Sequence, residues 1–238
     1  MRVRIGDLGT VLGVWAHPDD EAYLSAGLMA LARRQGNRVS VATATLGGSG
    51  TDDPDRWPPG RLTRLRRCEL MEALAAVGVE EHRWLGFDDG TCHEVSDADG
   101  EAAVAAVIER VRPSTIVTFG PEGMTGHPDH LAVSRWTTAA WSSTRPSARL
   151  WYATLTPEFH DRWGALNEEV GLWADGGPPS TPRHDLAAQL TLSETLLDRK
   201  VDALRAHRSQ TSGLEALVGA ERFRDWWAVE YFREADRP

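Results

Sequence analysis

Residues 10–21 read TVLGVWAHPDDE, and the change of character at His17 decides the fold. Thr10 to Ala16 is one continuous apolar run, the pattern of a strand buried on both faces of a parallel sheet. A helical pattern follows from about Glu21 to Arg34. Leu24, Leu28 and Leu31 share one face, and Gln35-Gly36-Asn37 supplies the stop. Arg38 to Thr45 (RVSVATAT) is a second strand by alternation and β-branching, so the N-terminal third reads as a β-α-β unit.

Gly47 to Gly60 is rich in Gly, Pro and Asp, and a loop longer than about a dozen residues is usually functional or disordered. Its place after a strand makes it an expected wall of an active site. A helix is expected over Leu62 to Val77, ended by Gly78, then a short strand at His82 to Leu85 and a turn at Asp88-Asp89-Gly90. Glu101 to Val111 reads as a helix and Ser114 to Phe119 (STIVTF) as a fourth buried strand. It leads to a second His-Pro-Asp motif, His127-Pro128-Asp129-His130, with its own helix over Leu131 to Trp141 and a fifth strand at Arg149 to Leu155. Beyond Pro157 the pattern weakens. A helix is expected at about Glu158 to Trp173, a Gly/Pro loop at Gly176 to Pro182, a helix from Glu194 to His207 and a late edge strand at Trp226 to Arg233. With no repeat or linker, residues 1–238 read as one α/β domain, an open, mostly parallel sheet. Such sheets bind ligands beyond the carboxyl ends of their strands where strand order reverses. Both His-Pro-Asp motifs fall at such ends.

The chain has 238 residues, 41% of them hydrophobic and 26% charged, as in ordinary globular proteins. Its formal net charge of -9 argues against a nucleic-acid or anionic-membrane binder, which needs a basic face. A small-molecule substrate fits better. Cys68 and Cys92 form no disulfide framework or zinc knuckle and read as buried small hydrophobes. No run is apolar for long enough to span a bilayer, and Val11 to Ala16 is too short for a signal peptide. The expected location is cytosolic; a homo-oligomer is compatible with the sequence.

Catalytic zinc usually takes three N or O ligands and leaves a position for water, whose pKa it lowers to about 7. His17, Asp20 and His130 could provide such a set. Asp19 beside it is the natural general base. His127 could polarise a carbonyl or protonate a leaving amine, and Asp129 could fix a histidine tautomer. The simpler alternative is that Asp19 and Asp129 only cap helices. Two histidines and a carboxylate also suit ferrous iron.

At these residues the chain resembles the LmbE-like, or PIG-L, de-N-acetylases. Ala16 to Glu21 matches their AHPDDE and His127 to His130 their HPDH. Arg66, Glu69, Gly78 and Val79 match an Arg-x-x-Glu helix with its Gly-Val step, Leu85 to Gly90 an LG-x-x-D-G turn, and Lys200 to Gln210 a K-x-x-A-L-x-x-H-x-S-Q helix end. The resemblance implies a Rossmann-like fold with helices on both faces and a zinc-dependent hydrolase. Such an enzyme removes acetyl from an N-acetylglucosaminyl small molecule by attack of a metal-bound water. It implies His17, Asp20 and His130 as zinc ligands, Asp19 as base and His127 as electrophile or acid, with Arg66 and Asp89 facing substrate. His207, Ser209 and Gln210 read as a packing and capping cluster. One departure stands out. The branch that deacetylates the mycothiol precursor has Tyr two residues before the first His of the second motif, and here that residue is Thr125.

Competing readings are a zinc amidase on a non-sugar amide or thiol S-conjugate, a nucleotide-binding Rossmann protein and a non-catalytic sugar-binding relative. Gly47-Gly48-Ser49-Gly50 is not a dinucleotide fingerprint. The ten tryptophans read mostly as core.

Overall fold

The computed structural model describes residues 8–51, 53–145, 147–173 and 178–236. The opening run forms β1 (Val11–Trp15), every residue buried, because apolar side chains on alternate sides both find helices to pack on. It is followed by α1 (Asp20–Arg34), β2 (Val39–Thr43), α2 (Pro59–Ala76), β3 (Glu81–Trp84), α3 (Asp97–Val111) and β4 (Thr115–Phe119). A single turn, α4 (Gly123–Gly126), precedes α5 (Pro128–Thr144), β5 (Arg149–Thr154) and α6 (Pro157–Glu169). The chain closes with β6 (Leu186–Thr191), α7 (Glu194–Ala206), α8 (Arg208–Val218), α9 (Ala220–Trp226) and β7 (Val229–Glu234).

The seven strands form one sheet in the order β3-β2-β1-β4-β5-β7-β6. The first five are parallel to one another, and β7 joins antiparallel to both β5 and β6. Order reverses between β1 and β4, whose carboxyl ends lead into the two motifs. One helical layer is α1, α2 and α7, the other α3 and α5, so the expected helices on both faces are present. Gly100 allows the α3–α5 approach, since a Cβ there would lie 2.1 Å from the Trp136 ring.

Two expectations need correction. The late strand is not at the edge: β7 lies between β5 and β6, and β6 itself was not expected, because its start, Leu186-Ala187-Ala188, is a short apolar run without alternation. Cys68 is exposed, while Cys92 is buried. Of the expected loop at 176–182, Gly176 and Gly177 lie outside the described residues. Among the described residues no helix is long and apolar enough to cross a membrane.

Behind the site, a buried Lys200–Glu230 pair at 2.8 Å enters the middle of α1. Lys200 Nζ donates to the carbonyl of Tyr23, and Glu230 accepts from the amides of Gly27 and Leu28. The Tyr23 carbonyl and Gly27 amide would bond each other in a regular helix.

Candidate metal centre and its cavity

The turn from β1 into α1 carries His17, Asp19 and Asp20. Asp19 precedes the helix with φ 121°, ψ -29° and makes no side-chain capping bond, so the capping alternative does not describe it. A non-glycine residue there stores roughly 1–3 kcal/mol of strain, which surrounding contacts must offset. Arg66, buried on α2, is the main restraint: its guanidinium donates to the Pro18 carbonyl and to the Gly47 carbonyl at 3.1 Å, and lies 3.2 Å from the Asp19 carboxylate. Burial raises the Asp19 carboxyl to about 6 against the pull of Arg66.

In the second motif Pro128 opens α5 as its first residue, where its missing N–H costs nothing. His127 caps that helix, its Nδ1 accepting from the Asp129 amide at 3.2 Å. This leaves Nε2 to carry the proton of the neutral ring. Burial and the neighbouring His17 lower the His127 pKa. His130 stacks on Phe119 with centroids 4.2 Å apart, and its Nδ1 lies 3.0 Å from the Gly123 carbonyl. Donation there turns the Nε2 lone pair inward. The turn before this motif is also strained, with Met124 at φ 59°.

The motifs meet at His17. Its Nε2 lies 3.2 Å from both Asp129 Oδ2 and Asp89 Oδ1, so that nitrogen is the proton donor and Nδ1 holds the lone pair. Nδ1 faces His130 Nε2 at 3.2 Å and Asp20 Oδ2 at 3.7 Å, and His130 Nε2 lies 3.3 Å from Asp20 Oδ1. Two lone pairs and a carboxylate converging in this way repel one another unless a cation or a proton sits among them. Ligands about 2.0–2.1 Å from zinc in a tetrahedral site are spaced by about 3.3 Å, and these groups are already so spaced. Burial alone would lower the His17 pKa, yet Asp129, Asp89 and Asp20 raise it to about 10. The place therefore favours positive charge, and the N,N,O donor set fits zinc. Donor atoms of His17, His127 and His130, and of His17, Asp89 and Asp129, also lie within 4.8 Å of one another.

Asp129 is fully buried, accepting from the Gly90 amide at 2.8 Å and the Cys92 amide at 3.0 Å as well as facing His17. Like Asp19, it caps no helix with its side chain. Asp89 accepts from Thr45 Oγ1 at 3.1 Å and the Ser49 amide at 2.6 Å. Burial alone would raise Asp89, but His17 and the Ser49 amide hold it well below the usual carboxylate range. Arg66 and Asp89, expected to face substrate, do line the cavity, but both Asp89 carboxylate oxygens and the Nη1 and Nη2 groups of Arg66 are already engaged in holding the two turns, while Arg66 Nε has no partner among the described residues.

The cavity over this centre has a volume of about 310 Å³. Beyond the motif residues it is walled by Tyr23, Ser49, Gly50, Leu172 and Gln210, so the start of the 47–60 loop does form a wall. An apolar chamber of about 90 Å³ adjoins it, sharing Asp20, Tyr23, Thr125, His130 and Leu172 and closed by Leu24, Phe159, Trp173 and Trp227. Tyr23 and Gln210 were not singled out from sequence as site residues. Gln210 lay in the helix-end pattern read as packing; Tyr23 had no signal beyond standing one turn after the first motif.

The family model described as PIG-L, GlcNAc-PI de-N-acetylase, matches residues 12–141, more than half of the chain. The chain belongs to the PIG-L family. This PIG-L chain is 35% identical over 227 residues to a 1D-myo-inositol 2-acetamido-2-deoxy-alpha-D-glucopyranoside deacetylase of Saccharomonospora viridis, covering 84% of each. It is 37% identical over 207 residues to a probable N-acetyl-alpha-D-glucosaminyl L-malate deacetylase of Bacillus cereus, covering 86% of this chain and 84% of the other. Its fold is shared with N,N'-diacetylchitobiose deacetylase from Pyrococcus horikoshii, with TM-score 0.65 at 20% identity over 96% of this chain and 84% of that one.

Proposed function

We propose that this chain is a zinc-dependent hydrolase that removes acetyl from the amide nitrogen of an N-acetylglucosaminyl small molecule. The observation that carries the reading is the convergence of His17 Nδ1, His130 Nε2 and the Asp20 carboxylate beside the Asp19 carboxylate. Zinc held by these three residues would supply a Lewis acid that acidifies water and polarises the carbonyl. Ferrous iron suits the same ligands.

Asp19 accepts the proton of the attacking water as its oxygen bonds to the acetyl carbon. His127, with its proton on Nε2, donates to the oxygen on which negative charge develops. The C–N bond then breaks, the nitrogen takes the proton held by Asp19, and acetate and the free amine leave. Asp129 and Asp89 keep the His17 proton on Nε2. Arg66 holds Asp19 in place, with one face open to substrate. The polar cavity suits a hydroxylated amine and the apolar chamber the acetyl methyl. The reading includes a cytosolic location, where free thiols such as Cys68 stay reduced. A second reading, an amidase on a non-sugar amide, is favoured by one feature: the chamber is larger than a methyl group needs.

The test is acetate release by zinc-loaded protein from N-acetylglucosaminyl-inositol and N-acetylglucosaminyl-malate, beside an acyl series from acetyl to hexanoyl on a simple aryl amine. Asp19→Asn should keep zinc and lose about 10²–10⁴-fold in kcat. Absence of acetate release from both conjugates, or full activity of Asp19→Asn, would overturn the reading. Turnover confined to the aryl amides would establish the second reading.

A further inference from the structure

The junction of α7 and α8 lies far along the chain from both motifs, yet it reaches the Asp19 turn. His207, at that junction, is wholly buried and its Nε2 lies 2.6 Å from Glu21 Oε1. The other carboxylate oxygen of Glu21 accepts the Asp19 amide at 3.0 Å. Asp19 is the residue at φ 121°. The two residues after His207 extend the same hold. Ser209 bonds Glu69 through both its amide and its hydroxyl, at 2.9 and 2.6 Å, and Glu69 lies one turn beyond Arg66 on α2. Gln210 Nε2 donates to the Gly50 carbonyl at 3.1 Å, on the cavity wall.

A histidine buried for packing alone would be expected to satisfy both nitrogens. Here Nδ1 has no partner among the described residues, and the whole polar engagement of the ring is the single bond to Glu21. We propose that His207 and Glu21 form a positioning couple that holds the Asp19 peptide in its left-handed conformation, so that the carboxylate faces the metal-binding set. The proposal rests on the assignment of Asp19 as base. The physical chain is short. His207 orients the Glu21 carboxylate, that carboxylate anchors the Asp19 amide, and Arg66 anchors the Pro18 carbonyl on the other side of the same turn. Without the Glu21 anchor the Asp19 amide loses the partner that holds it against relaxation to negative φ, while the Asp19 carbonyl stays bonded to the Ala22 and Tyr23 amides.

The test uses the full chain with His207→Leu, His207→Gln and Glu21→Gln. Zinc affinity is measured by chelator competition, kcat and KM by acetate release, and the Asp19 φ angle in crystals. His207→Leu should bind zinc like the parent and keep KM within about twofold. Its kcat should fall roughly 100-fold, the scale of a 1 Å misplacement of a reacting group, and Asp19 should leave the positive-φ region. His207→Gln, which restores an N–H donor at the position of Nε2, should recover most of the kcat and the positive φ. Should His207→Leu not fold, Glu21→Gln decides, with a kcat loss of about tenfold expected. A folded His207→Leu, or failing it Glu21→Gln, that loses only thermal stability, with kcat and φ unchanged, overturns the proposal. The φ readout needs no turnover, so a parent without deacetylase activity would refute the functional reading while the crystals still decide the couple.

Discussion

Replacing Asp129 with asparagine should weaken zinc binding although it removes no ligand. Three N–H groups converge on this carboxylate: Cys92 at 3.0 Å on Oδ1, and Gly90 at 2.8 Å with His17 Nε2 at 3.2 Å on Oδ2. An asparagine has one acceptor oxygen and one amino group, so one side must fail. If the oxygen faces Gly90 and His17, the amino group meets the Cys92 amide. That leaves a buried donor unsatisfied, at a cost of about 1–3 kcal/mol. If the amide is turned round, Gly90 loses its acceptor, and His17 can accept at Nε2 only by moving its proton to Nδ1. The proton would then point at His130 Nε2 and occupy the position a cation needs. Loss of a partner that fixes a ligating histidine typically costs 10–100-fold in metal affinity, about 1.4–2.7 kcal/mol by the same factor. The assay is zinc competition with a calibrated chelator, run beside urea denaturation of the metal-free protein. Parent-like zinc affinity together with unchanged metal-free stability would refute this account of the His17 proton.

Three further outcomes can be measured directly. Chelator-treated protein should melt lower than the zinc-loaded form, by the equivalent of about 2.7 kcal/mol when free zinc stands at 100 times its Kd; equal melting curves would show that the converging groups hold no ion. Lys200→Met leaves the Glu230 carboxylate buried without its cation and should cost about 3–5 kcal/mol in urea denaturation, and a loss below 1 kcal/mol would show the pair to be unimportant to α1. His82, on β3, is held neutral by burial, its pKa lowered to about 4. The unfolded chain takes up that proton near pH 6.5, so stability is retained above that value and lost as pH falls toward 4. His82→Gln should flatten this part of the acid limb, and an unchanged pH dependence between 6.5 and 4 would refute the assignment.

Strands β1, β4 and β5 of the parallel half were legible because they are buried on both faces and carry mostly apolar runs, whereas β2 was read from its alternation and β-branching and β3, EHRW at the exposed edge, carries no such run. The antiparallel end was less legible. β6 alternates only from Ala188 to Leu192, after the unalternating Leu186-Ala187-Ala188, and nothing local says that β7 inserts between β5 and β6. At the site, residues close in sequence to a His-Pro-Asp motif could be named from the chain. Asp129, inside the second motif, could be named as a partner that fixes a histidine tautomer; the orienting roles of residues that arrive from elsewhere could not, since Asp89 reaches His17 from the β3 turn and His207 reaches Glu21 across 186 positions. The φ of Asp19 was invisible as well, since aspartate before a helix reads as a cap.

The insertion of Lys200 and Glu230 into α1 also bears on when the protein becomes competent during synthesis. The helix that begins at Asp20 takes two of its amide partners from residue 230 and one carbonyl partner from residue 200. A nascent chain therefore carries the first histidine motif long before the helix behind it has its final contacts. Those contacts form only after the last strand has left the ribosome. A chain truncated before β7 would carry both motifs, with the amides of Gly27 and Leu28 in α1 lacking the carboxylate that accepts from them.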